Sequence, residues 1–444
     1  MKRERLGSRL GFILLSAGCA IGCGNVWKFP WETGRNGGGA FVLIYIICLL
    51  LLGLPAMTME FALGRASQAS PVKMYQKLEK PGAKWHIHGV VAFIGNICLM
   101  AFYTVVTGWL LYYFVSFLTG KSEGLSFSGM ISDPAVNVGY LAAVVLIAFV
   151  VLTMDLSGGL EKVTKYMMVV LMVLMVILAV KSVTLKGAAE GLKFYLLPDF
   201  SDFRPVVIVR AMNQSFFTIS IGIGSMAIFG SYIGKDRTLL GESVNVILLD
   251  TFVAITAGFI IFPSCFAYGE EVTAGPALLF NTMTTVFNDM PGGRIWGTMF
   301  FLFMVFAAFS TVLAVCENIL ACTRELTGWS RKKGCLVCGI GIFIIALTTA
   351  LGYSVLNFHP FGEGTAWLDF WDFIVSTNLL PLGSFVIAVF CCSRAGWGWD
   401  HFLEEANAGK GLKVQAWMKP IFCYFVPICT IVIYAVGMLT FNWG

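Results

Sequence analysis

The chain has 444 residues, of which 58% are hydrophobic and only 12% charged. Soluble domains carry about twice that share of charge, so the polar residues are too few to cover a soluble core. A soluble enzyme, a disordered chain, a coiled coil and a nucleic-acid module are excluded, and a polytopic protein of the lipid bilayer, with no nucleic-acid partner, is implied. The net charge of +5 requires no anionic partner, because cytoplasmic loops of membrane proteins are rich in Lys and Arg.

Spans of about 20 apolar residues match a hydrocarbon core near 30 Å. Eleven are read in chain order, over residues 10–34, 39–64, 87–119, 137–155, 162–183, 206–232, 240–268, 295–322, 335–355, 367–392 and 417–441. The first follows a basic stretch, as a signal peptide would, but ten more spans come after it and it is kept as a helix. With the N-terminus in the cytoplasm, 21 of the 30 Lys and Arg fall on the inner side. That asymmetry predicts a cell (inner) membrane protein with the N-terminus inside and, after an odd number of spans, the C-terminus outside.

The first span contains Gly18-Cys-Ala-Ile-Gly22-Cys-Gly24-Asn25, and the sixth contains Ser220-Ile-Gly222-Ile-Gly224-Ser225. These spans open two five-helix blocks, 1–183 and 184–392, which an odd number of crossings inserts in opposite orientation; residues 393–444 add a loop and the eleventh helix. Glycine-interrupted helices at matching places of inverted repeats point to unwound backbone around a midplane binding site. Close packing through small residues explains one such helix more readily than two in register. Asp250, deep in the seventh span, needs a cation, a proton or a strong donor. Asn25 offers an amide oxygen just past Gly22, Thr218 opens the sixth-span break, and Ser310 and Thr311 follow Ala307 on the eighth span. Glu60 is expected to accept backbone amides from a buried position, and Glu161 to be a helix-end charge.

Thirteen Cys are present, mostly within apolar runs, where Cys behaves as a small hydrophobe. Cys335 and Cys338 have CxxC spacing without a second pair, and the His at 86, 88, 359 and 401 are scattered, so neither a redox centre nor a catalytic constellation is expected.

The stretch from Leu10 through Gly18–Asn25, Val-Trp-Lys28-Phe-Pro30 to Asn36-Gly-Gly-Gly-Ala-Phe41 resembles the first-helix signature of neurotransmitter:sodium symporters. Gly53-Leu-Pro55, Glu60, Gly64-Arg65, Tyr103, Gly108-Trp109 and Phe216-Phe217-Thr218-Ile-Ser220-Ile-Gly222 continue it in order, over nearly the whole chain. Eleven spans suggest the bacterial amino-acid branch. The resemblance implies an all-α fold with two inverted repeats, broken first and sixth helices, and two Na⁺ ions. The first Na⁺ would use the Ala20 and Thr218 carbonyls with the Asn25, Thr218 and Asp250 side chains. The second would use the Gly18, Ile21 and Ala307 carbonyls with Ser310 and Thr311.

Tyr103 and backbone amides near Cys23 and Gly24 would hold a substrate carboxylate, and Phe217 would cap the pocket. Cys19, Leu99, Ser220, Ile223, Ala314 and Val315 would line it. Amine transporters of that family tend to carry Asp at the Gly22 position; its absence implies a substrate with its own carboxylate. The remaining pocket favours a neutral, hydrophobic amino acid, because a charged side chain would be buried without a partner. Asp250 stands where chloride-dependent relatives have Asn, which implies independence of chloride. Lys28, where Arg is usual, is expected to pair with Asp372 or Asp369 as the outer gate. Arg3, Tyr232 and Glu325 match the inner gate, while Leu6 replaces a Trp there. Val169 replaces the Pro of a Gly-x9-Pro helix breaker that begins at Gly159. The leading expectation is thus a Na⁺-coupled amino-acid symporter, against an amino-acid-sensing receptor of the same fold or a membrane-embedded enzyme. Nothing in the sequence fixes the oligomeric state.

Overall fold

The computed structural model describes residues 6–201, 203–272 and 278–441, and among these the chain is helical, with isolated bridges but no β-strand. Arg3 lies outside the described residues. The chain opens with α1 (Arg9–Ala20) and α2 (Gly24–Arg35), joined at a 53° bend. Then come α3 (Gly39–Ser67), α4 (Pro71–Leu78), α5 (His86–Thr119), α6 (Pro134–Thr153) and α7 (Leu156–Val183). The short α8 (Ala188–Leu196) leads to α9 (Val206–Thr218) and α10 (Ser225–Gly230). Apart from the short helical segments Phe127–Ile131, Leu278–Thr282 and Met283–Asp289, the remainder is α11 (Leu239–Tyr268), α12 (Gly293–Thr327), α13 (Arg331–Ala350), α14 (Trp367–Cys392), α15 (Trp399–Ala406) and α16 (Ala416–Thr440).

Among the described residues, nine helices are long and apolar enough to cross a membrane, or ten if α1 and α2 count as one bent span. The sixth expected span is not one helix: α9 has 13 residues and α10 only six, separated by an irregular stretch. Its cause is local. Ser220, Gly222 and Gly224 all have positive φ, at 51°, 103° and 73°, a region that Gly enters freely and other residues reluctantly. A side chain at Gly222 would also collide with the Leu380 carbonyl of α14. In the first span the helix stops because Ile21 is extended (ψ 101°).

The other helices begin where their caps dictate. Asp133 Oδ1 accepts the Ala135 and Val136 amides at 2.9 and 3.2 Å, and Pro134 supplies a preset φ at the first helical position. Helix α7 starts at Leu156 instead of 162, because Asp155 accepts the Gly158 amide (2.9 Å) and starts a widened π-type turn. No break occurs at Val169, which lies in continuous helix and is exposed on its outer side. Burial orders the bundle: the apolar stretch of α12 is 78% buried and those of α7 and α16 only 33%. The two breaks therefore sit against the central helices α5 and α12, and most of the large apolar side chains left exposed lie on other helices or at the ends of these two. All thirteen Cys are free thiols.

Candidate ion and substrate site

The two helix breaks meet. Ser220 Oγ donates to the Cys19 carbonyl (3.2 Å), and the Gln214 amide donates to the Gly24 carbonyl (2.8 Å). Glu60 of α3, fully buried, holds the second break open: its carboxylate accepts the Gly222 and Met226 amides at 2.5 and 3.0 Å. Unwinding would otherwise leave these donors unpaired in an apolar interior. The buried-acceptor expectation for Glu60 is what the structure shows.

Two groups of oxygens converge at this junction. On one side, Asn25 Nδ2 donates to Asp250 Oδ1 (2.7 Å) and to the Asp250 carbonyl (3.2 Å), and Thr218 Oγ1 lies 3.4 Å from Asp250 Oδ2. Asn25 Oδ1 accepts the Gly22 amide at 3.2 Å. All three side chains are fully buried. On the other side, Thr311 Oγ1 is 3.3 Å from the carbonyls of Gly18, Cys19 and Ile21. Ser310 Oγ lies 2.9 Å from the Ala307 carbonyl and 3.4 Å from that of Ile21. These are hard oxygen donors, and among the described residues no cluster of three or more His, Cys, Asp or Glu forms. Such a set suits an alkali cation better than a transition metal.

Beside these groups lies a small cavity of about 20 Å³ lined by Ala20, Gly24, Leu99, Tyr103, Phe217, Ser220, Ile223, Thr311, Val375 and Leu380. Its polar end is defined by Tyr103, whose hydroxyl oxygen accepts the Cys23 amide at 2.7 Å and so keeps its own proton to donate. A Cβ at Gly22 would collide with that hydroxyl and approach Thr311 Oγ1 to 2.5 Å. Lys28 Nζ sits 3.8 Å from the centre of the Phe217 ring, a cation–π contact. Cys19 and Cys23 are buried at the first break, and Ala314 and Val315 one turn beyond Thr311, but none of the four lines the cavity. Val375 and Leu380 do, although no sequence feature distinguished them from other apolar residues of α14.

Each described gate residue has a partner. Lys28 makes no ion pair with Asp369 or Asp372. Asp369 accepts the Ala366 amide (2.7 Å) at the start of α14, and Asp372 accepts the Ser376 hydroxyl (2.5 Å). At the N-terminal face, Tyr232 donates to Glu317 (3.1 Å), which pairs with Arg331 at 2.6 Å. Glu325 accepts the Ser70 hydroxyl (2.6 Å) and amide. The Leu6 amide reaches the Tyr232 carbonyl at 3.4 Å. Glu161 is no mere helix-end charge. It is buried and accepts the Gly7 amide and the Ser8 hydroxyl, both at 2.8 Å, tying the start of α1 to α7. No role was expected of Glu317 or Arg331 from the sequence; a carboxylate inside an apolar run was the available signal for Glu317.

Comparison with known proteins places this geometry. The sodium:neurotransmitter symporter family model matches residues 3–123 and 121–443. An uncharacterised sodium-dependent transporter of Bacillus subtilis, YhdH, is 33% identical, over 99% of each chain. Another such transporter, of Methanocaldococcus jannaschii, is 32% identical, over all of this chain and 93% of its own. The crystal structure of MhsT in complex with L-phenylalanine superposes with a TM-score of 0.89 at 34% identity, over 98% of this chain and 100% of that one. With its broken helices and its apolar spans, the chain belongs to the sodium:neurotransmitter symporter family and is a sodium-dependent, multi-pass membrane transporter.

Proposed function

We propose that the chain is a symporter that couples Na⁺ entry to uptake of a neutral, hydrophobic amino acid by alternating access, with two Na⁺ per cycle and without chloride. The observation that carries this reading is the junction of the two breaks. Two sets of uncharged and carboxylate oxygens lie beside a pocket that offers the Tyr103, Ser220 and Thr311 hydroxyls and is otherwise lined mainly by apolar side chains. A zwitterion would place its carboxylate at Tyr103, beside the first Na⁺ held by Ala20, Asn25, Thr218 and Asp250. The second ion would lie among Gly18, Ile21, Ala307, Ser310 and Thr311. That MhsT is found with L-phenylalanine supports an apolar side chain in the substrate. The Asp250 carboxylate sits where it would balance cation charge, and a nearby anion is worth several kcal/mol to a cation in a low-dielectric site.

In this reading α1 with α2, and α9 with α10, each form one broken span, making eleven with the nine continuous helices. The blocks 1–183 and 184–392 are inverted repeats, and the N-terminal face is cytoplasmic in the cell (inner) membrane. Lys28 joins Asp369 or Asp372 when the outer side closes. Arg3, Tyr232 and Glu325 form the inner gate, with Glu161 as a further tie on α1.

Uptake of labelled phenylalanine and leucine into proteoliposomes tests it. Uptake should require an inward Na⁺ gradient and persist when gluconate replaces chloride. Uptake that ignores Na⁺, or binding without any uptake, would overturn the symport reading; dependence on chloride would overturn the role given to Asp250.

A further inference from the structure

A second cavity, of about 550 Å³, lies far from the helix breaks at the face opposite the N-terminus. Its walls come from the turn after α2 (Arg35, Asn36), the last turns of α8 (Lys193, Phe194), the loop before α9 (Arg204) and the first turns of α9 (Arg210). Under the cytoplasmic placement of the N-terminus, on which this inference rests, only nine of the 30 Lys and Arg lie toward the outer side. Four of those nine converge here, against the charge bias that governs outer loops.

These cations are not spent on ion pairs. Among the described residues none of the four makes a salt bridge. Arg210, half-buried, uses one guanidinium nitrogen on Asn36 Oδ1 (2.8 Å), and Asn36 in turn donates to Glu32 (2.8 Å). Glu190 and Asp199 also line the cavity, but Asp199 is turned to its own loop, where Oδ1 accepts the Ser201 amide at 2.9 Å. The charge surplus stays positive even when the neighbouring Asp202 of the sequence is counted against it. The first turn of α9 adds the positive end of a 13-residue helix. Three guanidinium forks with one ammonium form a donor set suited to phosphate oxygens.

One rim is apolar. Leu196, Leu197, Phe200 and Ile208 stand 42–57% exposed beside the charged wall, as side chains do where a protein meets the acyl region of a bilayer. We propose that this cavity is a binding site for phosphate esters, held by Arg35, Lys193, Arg204 and Arg210. The apolar rim favours the phosphodiester headgroup of an anionic phospholipid in the outer leaflet as the source. A soluble phosphate monoester would use the same donors without the rim.

The test uses purified full-length protein titrated with equal amounts of phosphatidylglycerol and phosphatidylcholine, with bound lipid counted by native mass spectrometry. Glycerol 3-phosphate is added as soluble probe in a second series. The double variant Lys193→Gln/Arg204→Gln is compared with Lys121→Gln/Lys186→Gln, which removes two outer cations that do not line the cavity. Preference for phosphatidylglycerol should fall roughly ten- to thirtyfold in the first variant and hold in the control, at about a decade or less per cation removed. Displacement by millimolar glycerol 3-phosphate with the same variant dependence would assign the site to soluble esters; no displacement assigns it to the lipid. Equal binding of the two lipids with no glycerol 3-phosphate bound, or equal losses in both variants, overturns the proposal. Na⁺-driven uptake in phosphatidylcholine vesicles should be unchanged in both variants. Failure of uptake in the wild type strikes the transport reading alone, since lipid counting needs neither Na⁺ nor amino acid.

Discussion

Gly22 has no room for a β-carbon, because the Tyr103 hydroxyl and Thr311 Oγ1 occupy that space. Gly22→Ala should push both groups aside at a cost of about 1–3 kcal/mol, the scale of overpacking a tight site, and should show as weakened amino-acid binding in an equilibrium assay. Unchanged affinity would mean that Tyr103 is not seated at the substrate. Tyr103→Phe tests the same contact from the other side. It should weaken binding by about 1.5–3 kcal/mol, as for a hydrogen bond to a charged group. The variant also leaves the Cys23 amide without its acceptor, so the deciding comparison is an amino acid against its amide on the wild type. Equal binding of the two would remove the carboxylate from Tyr103.

At the scale of the element, each broken helix depends on partners from elsewhere in the chain. Glu60 of α3 takes the Gly222 and Met226 amides that unwinding exposes. Glu60→Ala leaves two buried donors unpaired at about 1–3 kcal/mol each, and the thermal midpoint of purified protein should drop sharply. Glu60→Gln, which keeps an acceptor, should lose less; equal losses would mean that the side chain acts by packing alone. Thr311 performs a related task on α12, its hydroxyl facing three carbonyls of the first break. If Thr311 is a ligand of the proposed second Na⁺, Thr311→Ala should raise the Na⁺ concentration needed for half-maximal uptake severalfold while the fold survives, as the loss of one uncharged ligand of several would. An unaltered Na⁺ response would move the second ion elsewhere.

Across the whole molecule, the N-terminal face is laced by buried charge. Arg65, fully buried at the end of α3, pairs with Glu405 of α15 at 2.6 Å and donates to the Arg237 carbonyl at 2.7 Å. Lys235 reaches the same carboxylate at 2.8 Å. One residue thus joins α3, the loop before α11 and α15. Glu405→Ala strands a buried guanidinium, and about 3–5 kcal/mol of stability should go with it. Denaturation in detergent would check this. A change below about 1 kcal/mol, the value of an exposed pair, would show that water reaches Arg65.

Residues that carry local signals were legible before folding. Hydropathy located each continuous span, with ends up to six residues away, because a helix in a bilayer must satisfy its own backbone whatever surrounds it. The positive-φ positions Ser220, Gly222 and Gly224 lie in the stretch whose glycine spacing marked the sixth span as broken, since backbone freedom belongs to the residue itself. Asp250 was conspicuous for the same kind of reason, as a carboxylate in an apolar run. Other features were decided only by the tertiary structure. Glu161 reads as a helix-end charge until the start of α1, over 150 positions away, presents Gly7 and Ser8 to it. Val375 and Leu380 become pocket walls, while Ala314 and Val315 do not, through how α12 and α14 pack around the breaks. Lys28 rests on Phe217, while Asp369 and Asp372 accept hydrogen bonds at the start of α14. Composition and spacing determine which residues must leave water and where the backbone yields. Which partner each buried polar group meets depends on contacts between segments far apart in the chain, and those exist only once the bundle has closed.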